Sequence, residues 1–236
     1  MQPIRVLHIV TYMGRGGLET MLMNYYRHID RTKVQFDFLV HRDFEADYDA
    51  EILSLGGKIH HVSRLVPWSK SYQNELRTFF KAHPEYRIVH VHQDCLSSVA
   101  LKVAKECGVP VRIAHSHSSS ADKNLKYWIK RYYMKKISKY ATDLFACGKK
   151  AGDWMFGGEK YQIVRNAIDA KRYTYSMATA EKVRTSLNLH DELVVGHVGR
   201  FNPPKNHTFL IDIFYEIQKI NPSARLLLVV DGDGKK

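Results

Sequence analysis

Short apolar runs alternate with longer amphipathic stretches along this chain, and this alternation limits the fold more than any other feature. The first run, residues 4–10, is rich in β-branched side chains; a glycine turn follows, and residues 18–29 then show helical periodicity. Repeated strand–helix units of this kind build a mostly parallel sheet with helices on both faces. The sequence therefore predicts an α/β fold of the Rossmann-like type. A hydrophobic fraction of 44% excludes a disordered chain.

The same alternation continues after the first unit. The acidic stretch 43–51 is expected to form a solvated loop or the start of a helix, and not a metal site. No internal repeat is visible. Further strands are predicted at residues 34–40, 58–62, 88–92, 111–115 and 143–146, and helices at residues 71–82, 96–106 and 124–140.

Two domains are predicted. Residues 1–170 form an N-terminal Rossmann-like domain, the polar segment 171–190 is a linker, and residues 191–236 begin a second Rossmann-like domain. Because a lone strand–helix–strand unit leaves both sheet edges bare, we expect an incomplete second domain, with disorder after roughly residue 190 or association that covers the edges. The predicted elements of this second domain are a strand at 193–198, a helix at 207–220 and a strand at 225–230.

The charge balance is basic, with 36 Lys and Arg against 24 Asp and Glu. Such a balance favours an anionic partner: a nucleotide phosphate, a lipid headgroup or nucleic acid. The three cysteines are widely spaced without a CxxC pair, which argues against a disulfide framework or a zinc site and indicates a reducing compartment. No signal-peptide pattern is present, and no apolar run reaches the roughly 18 residues that span a bilayer. We expect a cytoplasmic protein.

Two glycine-containing loops stand where a parallel sheet binds ligands. Gly14, Gly16 and Gly17 follow a strand and open a helix, so the backbone can approach an anion closely; tight strand–helix packing, with Glu19 capping the helix, is the alternative. In the second loop, Arg200 and Lys205 follow a strand and can clamp a diphosphate. The alternative for this pair is two solvated cations on a loop.

These motifs together resemble the family 4 glycosyltransferases of the GT-B fold, especially the bacterial exopolysaccharide and capsule enzymes. The resemblance rests on a strand followed by GRxxxxK, a strand followed by GxGG, and RNAID…Y at the end of the first domain, and it runs from residue 4 to the end of the chain. It implies two Rossmann-like domains across a cleft. The implied reaction transfers a sugar from a UDP- or GDP-linked nucleotide-sugar to a glycan or lipid-linked acceptor with retention of configuration, without a metal or another cofactor.

The resemblance also implies roles for single residues. Arg200 and Lys205 match the pair that contacts the donor diphosphate, where cations stabilise the charge of the leaving group. Gly16 and Gly17 match the loop that approaches the donor phosphates and the acceptor. His117, with His115 as second choice, matches the active-site histidine; a structural or solvated histidine is the alternative.

The family's Glu-x7-Glu motif would lie beyond residue 236, so weak or absent transferase activity is expected of this chain alone. The segment 231–233 (DGD) follows an apolar run and is expected to be a turn, and not a metal motif.

A basic stretch interleaved with aromatic residues covers residues 123–150 and includes the predicted amphipathic helix 124–140. Such a helix can contact an anionic membrane that carries lipid-linked acceptors, which would place the protein peripherally at the inner face of the membrane. An ordinary surface helix packed on the sheet is the alternative. The basic residues singled out are Lys123, Lys126, Lys130, Arg131, Lys135 and Lys136.

Two other classes of function are compatible with a basic α/β protein. A non-catalytic Rossmann-type nucleotide-binding module needs an acidic residue at the end of the second strand, where Val40 and His41 stand, although Asp37 lies within that strand. An RNA-binding protein is disfavoured because no RNA-binding signature is present and the basic residues concentrate on one helix. The sequence therefore predicts a glycosyltransferase without a nucleic-acid partner, with the nucleotide-binding module as the alternative.

Overall fold

A computed structural model describes residues 2–119 and 125–229, apart from the side chains of Leu125, Lys126 and Pro204. The chain divides into two compact units, Met1–Asp169 and Ala170–Lys236. Lys123 and the 231–233 segment lie outside the described residues.

The first unit is built on a parallel sheet of seven strands in the order β3-β2-β1-β4-β5-β6-β7, which confirms the predicted α/β fold. The six predicted strands are present with small shifts at their ends. The strands are β1 (Ile4–Ile9), β2 (Val34–Val40), β3 (Ile59–His61), β4 (Ile88–Val91), β5 (Val111–Ser116), β6 (Asp143–Ala146) and β7 (Gln162–Ile163).

Helices cover the two faces of this sheet over separate apolar cores. On one face α1 and α2 pack against Val10 and Phe38; on the other, α3, α4, α6 and α7 pack against Leu7 and Leu39. Successive residues of a strand point to opposite faces, so both faces receive apolar side chains. The helices are α1 (Gly17–His28), α2 (Asp49–Ser54), α3 (Lys70–Ala82), α4 (Ser97–Glu106), α5 (Leu125–Met134), α6 (Ile137–Tyr140) and α7 (Lys149–Phe156).

The strand order of the sheet reverses between the neighbouring strands β1 and β4. From β1 the chain proceeds to β2 and β3 on one side, and from β4 to β5, β6 and β7 on the other. At such a reversal the connections after the two central strands diverge, which opens a crevice at their carboxyl ends where α/β sheets bind ligands.

The predicted single helix over 124–140 is wrong, since α5 and α6 are separate. The backbone N–H of Lys136 bonds the carbonyl of Tyr133 at 3.0 Å, a tighter turn than an α-helix makes. This turn brings Ile137 into the core at 0% exposure. Helix α7 has no counterpart in the prediction, because Gly152 in its middle and Gly148 and Gly157 at its ends weaken the helical pattern.

The second unit contains two parallel strands, β8 (Val194–Val198) and β9 (Arg225–Val229), joined by α9 (His207–Ile220). Helix α8 (Met177–Ser186) lies in the segment that the sequence assigned to a linker. No helix in the described ranges combines the length and hydropathy that crossing a bilayer requires.

Candidate functional site

The glycine loop after β1 runs directly into α1. Within the loop, the Gly16 backbone N–H donates a hydrogen bond of 2.9 Å to the Gly14 carbonyl. A Cβ on Gly14 would collide with the ring of Tyr12, and one on Gly16 with the Glu19 carboxylate, whereas Gly17 faces open space. Glu19 thus lies at the helix N-terminus, where a carboxylate stabilises the helix dipole. Close packing accounts for Gly14 and Gly16 without a ligand.

The two candidate histidines at the end of β5 have different surroundings. His115 is 1% exposed, and its Nδ1 lies 3.1 Å from His90 Nε2. His117 is half-buried beyond the strand end, and its Nε2 lies 2.9 Å from His92 Nδ1. His117 is therefore the better placed of the two to contact a ligand.

Both belong to a histidine cluster on one face of β1, β4 and β5, formed by His8, His90, His92, His115 and His117. Burial lowers the pKa of His8 and of His115 to about 3 and that of His117 to about 4. Burial also holds the pKa of His90 and of His92 well below the usual value. All five imidazoles are accordingly neutral near pH 7, which avoids repulsion between adjacent cations.

Neutral imidazoles are also metal ligands. The nitrogens of His8, His90 and His92 lie within 4.8 Å of one another, as do those of His92, His115 and His117. Direct contacts of 2.9 to 3.1 Å between ring nitrogens already form hydrogen bonds among these side chains without an ion, although Nε2 of His8 and Nε2 of His115 have no partner among the described residues.

Asp94, which the sequence analysis missed, lies just after β4 and has three features of a functional residue. Its φ of +46° is unusual for a residue with a side chain. Its Oδ1 is buried and has no hydrogen-bond partner among the described residues. Burial raises its pKa, against the opposing effects of the Ser118 hydroxyl and the Lys130 ammonium. The signal in the sequence is an acidic residue two positions after the predicted strand 88–92.

These features meet at one edge of the sheet. The glycine loop follows β1, Asp94 follows β4 and His117 follows β5, and these three strands are neighbours. Asp94 Oδ2 lies 3.4 Å from the Ser118 hydroxyl, which ties the connections after β4 and β5 together. The resulting site lies at the strand-order reversal and presents a carboxylate and a neutral imidazole, which suit hydroxyl groups as hydrogen-bonding partners.

In the second unit, Arg200 and Lys205 lie on the connection from β8 to α9, and both are exposed. The stem of Lys205 passes over Gly199, because a Cβ on that glycine would lie 3.2 Å from Lys205 Cδ. In the same unit, the rings of His197 and His207 pack edge to face with their centres 5.0 Å apart. Neither histidine is among the site residues predicted from the sequence.

The basic stretch has an inner and an outer side. Met134 is 6% exposed, and its sulfur lies 4.0 Å from the Cys95 thiol. On the outer side Trp128 is 72% exposed, and the Lys136 ammonium lies 3.7 Å from the centre of the Tyr132 ring. Helix α5 thus packs on the domain and still presents an aromatic, cationic surface, formed with Lys130, Arg131, Lys135 and Lys136; the side chain of Lys126 is not described.

Comparison with known proteins agrees with this architecture. The sequence model of the family Glycosyltransferase Family 4 matches residues 15–172 of this chain. Glycosyltransferase EpsF of Bacillus subtilis (strain 168) is 36% identical over 98% of this chain. Crystal structures of HepE from Anabaena, one with UDP and glucose and one with UDP-glucose, share the fold at TM-scores of 0.76 and 0.75 with 16% and 17% identity over 98% of this chain.

The chain spans 62% of the length of EpsF and 62% of the HepE chain in both crystal structures. The family match covers more than half of the chain, from the glycine loop through the end of the first unit. On these grounds, the chain belongs to Glycosyltransferase Family 4.

Proposed function

We propose that the protein transfers a sugar from a nucleotide-sugar to a glycan or lipid-linked acceptor, with retention of configuration, in exopolysaccharide, capsule or cell-envelope biosynthesis. Family membership and the 36% identity to the glycosyltransferase EpsF support the reaction class. The resemblance of the sequence motifs to exopolysaccharide and capsule enzymes favours the pathway. The observation that carries the proposal is the meeting of the glycine loop, Asp94 and His117 at the strand-order reversal.

We propose UDP as the nucleotide in preference to GDP. The support is that HepE, which shares the fold, has been solved with UDP and glucose and with UDP-glucose. Neither a metal nor another cofactor is expected, because Arg200 and Lys205 are proposed to stabilise the departing diphosphate.

The proposed reaction breaks the bond between the sugar anomeric carbon and the diphosphate oxygen, whose electrons stay on the diphosphate. An acceptor oxygen forms the new bond to that carbon and loses its proton. Asp94 is proposed to accept a hydrogen bond from a hydroxyl at this site, since its Oδ1 has no partner in the described part of the chain. His117 is proposed to contact the sugar.

We further propose that α5 binds an anionic membrane surface at the inner face of the membrane. The support is its exposed Trp128 and Tyr132 beside basic side chains. A groove of about 160 Å³ next to this helix is lined by Trp68, Lys102 and Tyr132 among others, and offers aromatic and cationic contacts to a lipid-linked acceptor.

The test uses the longest protein that the reading frame encodes, incubated with UDP-glucose, UDP-N-acetylglucosamine and GDP-mannose and with lipid extracts as acceptor. Transfer of labelled sugar from a UDP-linked donor, with the same anomeric configuration in product and donor by NMR, is the expected result. Nucleotide-sugar binding without transfer to any acceptor would instead favour the non-catalytic module.

Residues 1–236 alone are proposed to transfer sugar weakly or not at all, because they span 62% of EpsF. Equal turnover by this chain and by the longest encoded protein would contradict this.

A further inference from the structure

Three histidines form a hydrogen-bonded row from the interior of the sheet to its carboxyl edge. His8 Nδ1 lies 3.1 Å from His92 Nε2, and His92 Nδ1 lies 2.9 Å from His117 Nε2. His8 and His92 are 2% and 6% exposed, whereas His117 is half-buried. We call this row the histidine relay. Its two bonds use both nitrogens of His92 and leave His8 Nε2 and His117 Nδ1 at its ends.

The number of protons restricts how the histidine relay can be arranged. Because burial lowers the pKa of all three side chains, each imidazole is neutral and carries one N–H. His92 therefore donates to only one neighbour and accepts from the other. Either every bond points outward, from His8 to His92 to His117, or every bond points inward.

The inner end distinguishes these two arrangements. His8 Nε2 is buried without a hydrogen-bond partner among the residues described. The space beside the ring is lined mostly by apolar side chains, including Met21 and Phe36, together with His90 and His115. Inward bonds would place an N–H on this nitrogen, and an unpaired buried N–H is rare and costly. Outward bonds place the proton on His8 Nδ1, where it is bonded, and leave only a lone pair unpaired.

We propose that His92 is a positioning residue that holds His117 as its Nδ1–H tautomer, so that His117 donates a hydrogen bond to a hydroxyl oxygen of a bound sugar and does not act as a base. This inference rests on the proposed function for the identity of the sugar, but the tautomer does not depend on it. The outward arrangement assigns the His117 proton to Nδ1, because Nε2 accepts the bond from His92. A neutral histidine side chain in water prefers the Nε2–H form, so the relay reverses the intrinsic preference.

Nitrogen NMR of protein labelled with ¹⁵N-histidine reads the tautomer directly. We expect His117 as Nδ1–H in the wild type and in His92→Asn, whose amide can donate in place of His92 Nδ1. In His92→Phe we expect the Nε2–H form. His90→Phe is the matched control, because His90 lies on the same face of β4 but bonds His115. An Nε2–H form in the wild type, or a metal-bound signal that chelation removes, would overturn the proposal.

If His92→Phe does not fold, His8→Phe interrupts the same relay at its inner end, where the ring already stacks on Phe38. We expect a mixture of His117 tautomers in that variant, and an unchanged Nδ1–H form would count against the relay.

Sugar transfer by the longest encoded protein gives a second readout. His92→Phe is expected to lower kcat about tenfold with little change in KM, since one oriented donor is lost. His117→Gln, which can still donate, is expected to retain more activity than His117→Glu, and the reverse order would contradict the donor role. Absence of transfer in the wild type, with the Nδ1–H form present, would refute the proposed function but not the tautomer.

Discussion

Arg5 and Asp37 form a bidentate ion pair between β1 and β2. Arg5 Nε and Nη2 each donate a hydrogen bond of 2.5 Å to one oxygen of the carboxylate. Asp37 is fully buried and also accepts the backbone N–H of Lys58 at 2.7 Å. A carboxylate committed in this way cannot also bind a ribose. The acidic residue of β2 therefore does not support a dinucleotide-binding module.

Replacing Asp37 tests this structural role. Asp37→Ala leaves the Arg5 guanidinium without its partner and should lower the free energy of unfolding by about 3 to 5 kcal/mol. Denaturant unfolding measures the loss. Asp47→Ala, which removes an exposed partner of Arg15, is the control and should change stability by less than about 1 kcal/mol. Equal losses of unfolding free energy in the two variants would show that the buried ion pair contributes no more to stability than the exposed one.

Asp94→Asn should separate stability from activity. Burial raises the pKa of Asp94 in the folded state, so its ionisation is unfavourable there and destabilises the fold as pH rises through that pKa. The amide removes this cost and tolerates a positive φ, so stability at pH 7 should stay equal or increase. Sugar transfer should fall at least about tenfold. The expected loss reflects the negative charge, because the amide oxygen still accepts a hydrogen bond but more weakly than a carboxylate. Asp153→Asn, at an exposed position paired with Lys149, should change stability by less than about 1 kcal/mol and leave transfer unchanged. Full transfer in Asp94→Asn would show that the reaction does not need the charge of the Asp94 carboxylate.

The histidine cluster should make the protein sensitive to acid. Burial lowers the pKa of His8 to about 3 and that of His117 to about 4, so the unfolded chain binds protons that the folded chain does not between those values and about pH 6.5. The free energy of unfolding should therefore be highest above about pH 6.5, where these histidines are neutral in both states, and should decrease as the pH is lowered. Thermal unfolding from pH 7.5 to 4.5 measures the slope, which His8→Phe should reduce and a substitution of exposed His190 should not. A slope unchanged by His8→Phe would contradict this origin.

Arg200→Ala and Lys205→Ala should each reduce sugar transfer by the longest encoded protein by about 10²- to 10³-fold, the range for removing one group that stabilises developing charge. Steady-state kinetics with the nucleotide-sugar measures the loss. Lys219→Ala is matched in charge, because Lys219 is exposed on α9 beside Glu216, and should leave kcat unchanged. Full activity of the double variant would refute the diphosphate role.

The outer side of α5 should contribute to membrane binding. Lys135→Glu should weaken binding to vesicles containing phosphatidylserine by about fivefold or more, given about 1 kcal/mol per basic residue near an anionic surface. Trp128→Ser should weaken it independently of salt concentration. Lys81→Glu changes charge equally at the exposed end of α3 and serves as the control. Equal effects of Lys81→Glu and Lys135→Glu would indicate binding through net charge alone.

The elements that the sequence predicted are those whose signal is local. Strands such as β1 and β2 are runs of β-branched and apolar residues, and α3 carries its apolar residues at regular spacing, so their position along the chain is readable. Helix α7 is not predicted because glycines lie within it and at its ends. The break between α5 and α6 is not predicted because it depends on a turn that places Ile137 in the core. The roles of Arg200 and Lys205 stay predictions.

By itself, the sequence determined the repeating strand–helix units, the parallel sheet and the loops where a ligand would bind, because hydrophobic periodicity and glycine turns act over a few residues. Only the tertiary structure decided that His115 is interior, that His117 lies at the edge of the sheet, and that Asp94 contacts Ser118 next to it. These differences arise from burial and from contacts between strands that are neighbours in the sheet but distant along the chain. His8 and His92, 84 positions apart, are bonded for that reason.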